Sequence, residues 1–434
     1  MNSILLYLSV LALWLGVNHA SAESLKTELD GLVQSHPQIL GAKKAISSAD
    51  EGISVAKAGY LPKVNLTGDT GADYVNSPSR RSSNNNDPYM RGRHTAGATI
   101  TQKLFDGYAT EGMVDAAKIT RKMGEIGLEA TTQNVLLEAI SAYIGVIKAG
   151  TLIDFAKNNE KNIQTQMNLE DERVKKGSGV AVDVLQSKSK LQLAKERRVA
   201  FEGAFQDSVS KYVQVYDHAP NTAKMEEPEV PKSLMPNSLE EALEAALKEN
   251  PVLGNSSHAI KAAESRKVIA EAGYYPTLSL EGKANYEEDK SATAGVRRDA
   301  SLLLKANWDL FSGFSTQAAV AQASIDRASS QDSYNYALRK VTEQTKVSWQ
   351  ALLTTKERLE LLENAANIAN EVWEARKKQR ESGKVTVVEV LDAESEIYNA
   401  RINQTNANFE AKMASFQLLA AMGRLDINTF INPR

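Results

Sequence analysis

Ala56-Lys57-Ala58-Gly59-Tyr60-Leu61-Pro62-Lys63-Val64-Asn65-Leu66-Thr67-Gly68 returns as Ala270-Glu271-Ala272-Gly273-Tyr274-Tyr275-Pro276-Thr277-Leu278-Ser279-Leu280-Glu281-Gly282, an offset of 214 residues. The match runs back without gaps through Ala45-Ile46 and Ala259-Ile260, Pro37 and Pro251, to Ser24-Leu25 and Ser238-Leu239. Downstream, Leu104-Phe105-Asp106-Gly107 returns as Leu310-Phe311-Ser312-Gly313, now at an offset of 206. Gly177 with Asp183-Val184-Leu185 returns at the same offset as Gly383 with Glu389-Val390-Leu391. The eight-residue change falls between Gly68 and Leu104, so the first copy carries the longer connection there. A tandem duplication of about 200 residues reduces the fold to one unit used twice: helix, strand pair, long helical hairpin.

Residues 24–58 and 238–272 are Ala-rich and helical in pattern, with Pro37 and Pro251 marking a kink or a fresh helix start in each. Both stretches end at Gly-Tyr-x-Pro. Gly59 and Gly273 suit a helix C-terminus, and Pro62 and Pro276 stop its continuation. From Thr110 to about Arg173, and from Thr316 to about Arg380, the pattern stays helical without proline. In the second copy Leu352, Leu359, Leu362, Ala366, Ala369 and Trp373 form a coiled-coil seam. At about 1.5 Å per residue these arms are roughly 100 Å long, far more than a globular core uses. Each arm leads into a glycine turn (Gly177 and Gly179; Gly383 and Lys384) and a returning helix, Ala181–Asp217 or Thr386–Gly423.

Between the helices, four segments alternate with period two, at about 63–75, 94–105, 277–287 and 299–310. Val64, Leu66 and Tyr74 oppose Asn65, Thr67, Asp69 and Asp73; Leu302, Leu304 and Trp308 oppose Ser301, Lys305, Asn307 and Asp309. Strands of about ten residues, apolar on one side and charged on the other, match a membrane barrel around a wet lumen. The long polar connection Ser77–Gly92 and its shorter counterpart Glu287–Gly295 fit such a barrel too. Four strands cannot close one, and an open edge in lipid leaves backbone groups unpaired. Two copies give eight strands and a plugged interior. Three give 12 and room for an aqueous channel, and three is the expectation.

Composition agrees with export. Residues 1–22 read as a signal peptide: an apolar run from Ile4 to Val17, then Ala20-Ser21-Ala22, with Glu23 as the mature N-terminus. Further on, no run of apolar residues reaches membrane-helix length. The chain of 434 residues has no cysteine, which removes disulfides, thiolate metal sites and a lipid anchor on Cys. Its formal net charge of −3 gives no basic footprint for nucleic acid. His36, His94, His218 and His258 show no ligand spacing, no glycine loop cradles phosphate, and neither enzyme nor cofactor is expected.

The duplicated Ala-Gly-Tyr-x-Pro, the Leu-Phe-x-Gly and the Gly…Asp/Glu-Val-Leu turns resemble the TolC family of outer-membrane channels, over Glu23 to about Leu425. The implied domains are a first repeat at 23–217 with its helical hairpin at 110–217, and a Pro-rich linker at 218–237. A second repeat at 238–425 follows, with its hairpin at 316–423, and then a tail at 426–434. The resemblance implies a mixed α/β membrane protein: a homotrimer whose 12-stranded barrel sits in outer-membrane lipid and continues into a long periplasmic barrel of helices. Such channels dock on a periplasmic adaptor (membrane fusion protein) and an inner-membrane pump, either an ABC transporter or a drug-proton antiporter. Glu389 and Asp392 match the acidic pair that projects into the pore at the periplasmic entrance, and Asp183 is the equivalent of Glu389 in the first hairpin. Gly177, Gly179, Gly383 and Lys384 would form the tips that meet the adaptor. Arg380 and Val385 depart from the family's locking residues, so those contacts do not carry over. Leu104–Tyr108 and the absent lipid-anchor cysteine look more like members serving type I protein secretion than drug efflux. The competing reading from another class is a soluble periplasmic coiled-coil adaptor or scaffold.

Overall fold

The computed structural model describes residues 25–83, 88–291 and 293–427. The expected signal segment, the run 84–87 of the long polar connection and the tail from residue 428 lie outside them. The first repeat contains helices α1 (Leu25–Ser35) and α2 (Pro37–Lys57), strand β1 (Lys63–Val75), a short helix α3 (Pro78–Ser83), strand β2 (Tyr89–Phe105), and helices α4 (Ala109–Lys175) and α5 (Ala181–Tyr216). The second contains α6 (Leu239–Glu249), α7 (Pro251–Glu271), β3 (Thr277–Glu288), β4 (Val296–Asn307), α8 (Ser315–Glu381) and α9 (Val387–Met422). Pro37 and Pro251 open new helices, each at a first-turn position where its missing N–H costs nothing. Asn250 caps α7 by accepting the Val252 N–H at 2.9 Å. α4 and α8 have 67 residues each, α5 and α9 have 36 each, so the duplication is exact in helix length.

The chain divides into two compact units. One comprises residues 33–138, 230–363 and 410–427 of the described chain and holds the sheet. Its strands follow the order β1-β2-β3-β4, all antiparallel. Register keeps the two faces apart. Leu66, Ala98, Ala284 and Ala300 share one row, and Val64, Ile100, Gly282 and Leu302 the next. On the other face Arg93 pairs with Asp69 at 2.8 Å, and Glu281 takes both Lys283 and Lys305 at 2.8 and 2.7 Å. The apolar row is exposed: Leu66 is 77% and Leu302 72% accessible. β2 starts at Tyr89 rather than near 94, because Arg91 and Arg93 continue the polar face opposite Asp73 and Gly71. β4 starts at Val296 and stops at Asn307 rather than 310, where Trp308 turns to donate its indole N–H to the Tyr274 carbonyl at 3.1 Å.

The Gly-Tyr-x-Pro turns are held for a reason the sequence reading did not identify. Gly59 and Gly273 lie in single 3-10 turns, and neither has a positive φ. A Cβ there would sit 2.8 Å from Thr110 and 2.9 Å from Thr316, at the start of each long arm. The glycine is required by close approach, not by left-handed backbone. The left-handed positions follow the strands: Gly107 and Tyr108, then Gly313 and Phe314, turn the chain into α4 and α8. Asp106 and Ser312 accept the Thr110 and Thr316 N–H groups, fixing those helix starts. Phe105, Tyr108 and Tyr275 pack edge to face around the first of these turns, with ring centres 5.5 to 6.4 Å apart.

The second unit comprises 25–32, 139–229 and 364–409 of the described chain. Its core near the turns is Ile163 of α4, Leu191 and Ala194 of α5, and Val387 and Leu391 of α9. Farther along, Tyr212 and Tyr216 stack at 4.3 Å, and Tyr216 donates to the Ala139 carbonyl at 3.0 Å. Burial pushes the Tyr216 phenol well above its usual range. One 18-residue window of α4 is long and apolar enough to cross a membrane, but 56% of it is buried inside the protein. Ala139, Ile140 and Tyr143 are wholly covered there, which accounts for the apolar run as a core face.

Candidate functional site

The two hairpin turns, α4–α5 and α8–α9, hold most of the residues singled out by the sequence, and both lie in the second unit. They share one backbone device. Gly177 (φ +76°) and Gly383 (φ +71°) close Schellman turns. The Ser178 N–H donates to the Arg173 carbonyl and the Lys384 N–H to the Gln379 carbonyl, both at 2.9 Å. Lys384 is exposed at the second turn.

Past the glycines the turns diverge. In the first, a Cβ on Gly179 would lie 2.8 Å from the Val174 backbone nitrogen, so only glycine fits. α5 begins after Val180, which offers no capping side chain, and Asp183 sits in its first turn. The Ser187 hydroxyl donates to the Asp183 carbonyl at 2.8 Å.

In the second turn Thr386 occupies the place of Val180 and completes a reciprocal capping box. The Glu389 carboxylate accepts the Thr386 N–H at 3.1 Å, and the Thr386 hydroxyl accepts the Glu389 N–H at 3.4 Å. Glu389 also pairs with Arg376 of α8 at 3.3 Å. Asp392 pairs with Lys190 of α5 at 2.6 Å, its own side chain staying 63% exposed. Arg380 bridges inward. It donates to the Val385 carbonyl at 3.1 Å and to Glu170 of α4 at 2.6 Å. Glu170 is only 3% exposed and takes a second cation, Arg173, at 3.0 Å.

Within one chain Glu389 and Asp392 are therefore each matched by a cation, on a face of α9 that remains accessible. No sequence pattern marks Arg376, Lys190 or Glu170. Their partners lie 13, 202 and 210 residues away, beyond any local pattern. Among the described residues no cluster of His, Asp and Glu has metal-holding geometry.

The profile of the family described as "Outer membrane efflux protein" matches residues 29–211 and 242–424, one match per repeat. The outer membrane efflux protein BepC of Brucella suis biovar 1 is 23% identical over 407 residues, covering 94% of this chain and 86% of that protein. The alkaline protease secretion protein AprF of Pseudomonas aeruginosa is 21% identical over 411 residues, covering 92% and 84%. The crystal structure of the outer membrane protein VceC from Vibrio cholerae has the same fold, with a TM-score of 0.78 at 16% identity over 92% of this chain and 96% of that one. These matches remove the soluble-adaptor reading. The chain belongs to the outer membrane efflux protein family, the TolC family, and is an outer-membrane channel protein with a large periplasmic portion rather than an enzyme.

Proposed function

We propose that three copies of this chain form the exit channel of a tripartite export system, docked on a periplasmic adaptor and an inner-membrane ABC transporter, with protein as the cargo. The observation that carries the trimer is the sheet. It exposes a leucine-rich face, pairs its charges on the other face, and leaves the outer edges of β1 and β4 without a strand partner among the described residues. Burying that face in lipid and pairing those edges with neighbouring copies satisfies both demands, since three sheets of four strands make 12. Trp308, Phe311 and Phe314 are exposed just past the end of β4, as residues at a membrane interface are. Exposed apolar side chains also line the arms, with Val182, Leu185 and Leu193 on α5 and Ile368 and Val372 on α8, at helical spacing. Neighbouring copies would cover them.

The first repeat is assigned to 23–217, the linker to 218–237 and the second repeat to 238–425. Glu389 and Asp392, six carboxylates in three copies, line the periplasmic entrance, with Asp183 seating the first turn beside them. Such a ring draws cations and repels anions, with its charge offset in part by Arg376 and Lys190. Gly177, Gly179, Gly383 and Lys384 present the tips to the adaptor. Protein cargo is supported by Leu104–Tyr108 and by the secretion role in the name of AprF. Drug efflux with a drug-proton antiporter is the second reading, supported by the family's own description and by BepC.

A photoreactive residue placed at Lys384 in living cells, with captured proteins identified by mass spectrometry, tests the assignment. Capture of an adaptor encoded with an ABC exporter is the expected result. A drug-pump adaptor would replace the cargo assignment, and capture of neither would remove the tip from the docking surface.

A further inference from the structure

Beyond the second turn, α4, α8 and α9 surround a cavity of about 140 Å³, lined by Asn159 and Asn162 of α4, Trp373 of α8, and Glu394, Tyr398 and Arg401 of α9. Four polar atoms of that lining have no hydrogen-bond partner and no access to solvent: Asn159 Oδ1, Trp373 Nε1, Glu394 Oε1 and the Tyr398 hydroxyl. Asn159 is 8%, Glu394 5% and Tyr398 6% exposed, so three nine-tenths-buried side chains, one on α4 and two on α9, are left short around one space. Protein interiors seldom tolerate this, and clusters of this kind mark places where a proton or a guest is handled.

The charge state of Glu394 decides how well the cluster is satisfied. A carboxylate adds one more acceptor beside Asn159 Oδ1, which already lacks a donor. A neutral acid adds a donor instead. We propose that Glu394 is a buried proton-binding site: as the neutral acid it allows α9 to pack on α4 and α8, and loss of its proton at higher pH loosens α9 from them.

The groups facing it are few. From α4 come the neutral amides Asn159 and Asn162, the latter donating to the carboxyl group. From α8 come Trp373 and Lys377, whose ammonium lies 4.3 Å from the centre of the Trp373 ring. Arg401 of α9 is turned to Asn370, and Arg197 of α5 sits over the Tyr398 ring at 5.8 Å. Burial raises the Glu394 carboxyl above the usual carboxylate range, and it outweighs the opposing pull of the Asn162 hydrogen bond and Lys377. A group whose folded-state pKa is raised contributes stability that is full below the ordinary value and lost as pH rises through the raised one. The loosening therefore runs toward neutral pH.

Hydrogen exchange of the assembled, full-length protein tests this in peptides covering 387–401, from about pH 5 to 8, corrected for intrinsic rates. Wild-type opening should increase by up to about tenfold per pH unit between the ordinary glutamate pKa and the raised Glu394 value, and level off above it. Glu394→Gln, which mimics the neutral acid, should hold the acid-pH protection throughout. Lys377→Met, at a half-exposed position, should move the wild-type midpoint to higher pH by removing a cation that favours the carboxylate. A flat wild-type profile, a Glu394→Gln profile that falls like the wild type, or an unmoved midpoint in Lys377→Met would each overturn the proposal. In a channel, the consequence is a second hairpin that moves more readily at neutral than at acid pH.

Discussion

The two hairpin turns start from the same backbone, a left-handed glycine and a Schellman closure, and are then stabilised by different physics. The first is fixed by shape: Gly179 presses on Val174, and the charged side chains of the last α4 turn pair within their own helix, as Lys175 does with Asp171. The second is fixed by charge. Arg376, Arg380, Thr386, Glu389 and Asp392 tie α8 and α9 to each other and to α4 and α5. Steric contacts respond little to salt, whereas exposed ion pairs weaken with it. Duplication thus supplied two equal hairpins, and divergence made one a fixed post and the other a charge-paired latch anchored on the buried Glu170.

That contrast can be broken at several points. Arg380→Ala should have the largest effect, because it leaves the buried Glu170 with Arg173 alone. We expect a local cost of about 2 kcal/mol, read as faster hydrogen exchange at the second turn and, more weakly, at the end of α4 that carries Glu170. Gly179→Ala should cost the first turn about 1.5 kcal/mol through backbone crowding. Val385→Ala, at the matching place in the second turn, should change its exchange little. Thr386→Val copies the first turn into the second and should cost about 1 kcal/mol of helix-start stability, seen as fraying at the beginning of α9. Among the charged and capping positions the smallest effect belongs to Asp392→Asn, below about 1 kcal/mol and absent at high salt, because its pair with Lys190 is exposed. If Asp392→Asn cost more than Arg380→Ala, the latch would lie on the exposed face rather than at Glu170.

Much of this molecule is legible in its sequence where the signal repeats or alternates. The offset duplication gives the element order, and Val64, Leu66 and Ile100 against Asp69, Thr99 and Lys283 give the two faces of the sheet. Strand ends were less legible. Arg91, Gly92 and Arg93 look like loop composition, yet Arg93 is drawn into β2 by Asp69 and Asp73 across the ladder. The role of Gly59 and Gly273 was invisible because it depends on Thr110 and Thr316, about 40 to 50 residues on, packing against the turn. At the candidate entrance Glu389 and Asp392 are picked out by the family resemblance, but nothing in the sequence marks the cations beside them, since Lys190 is 202 residues from Asp392. Tertiary partners of charged residues carry no periodic signature.

Single-channel recording of the purified protein in planar bilayers, comparing the wild type with Glu389→Gln/Asp392→Asn, tests the acidic entrance most directly. The wild type should conduct and prefer cations, and the double variant should conduct with most of that preference lost. A protein that opens no pores, or a double variant with undiminished cation preference, would contradict that assignment.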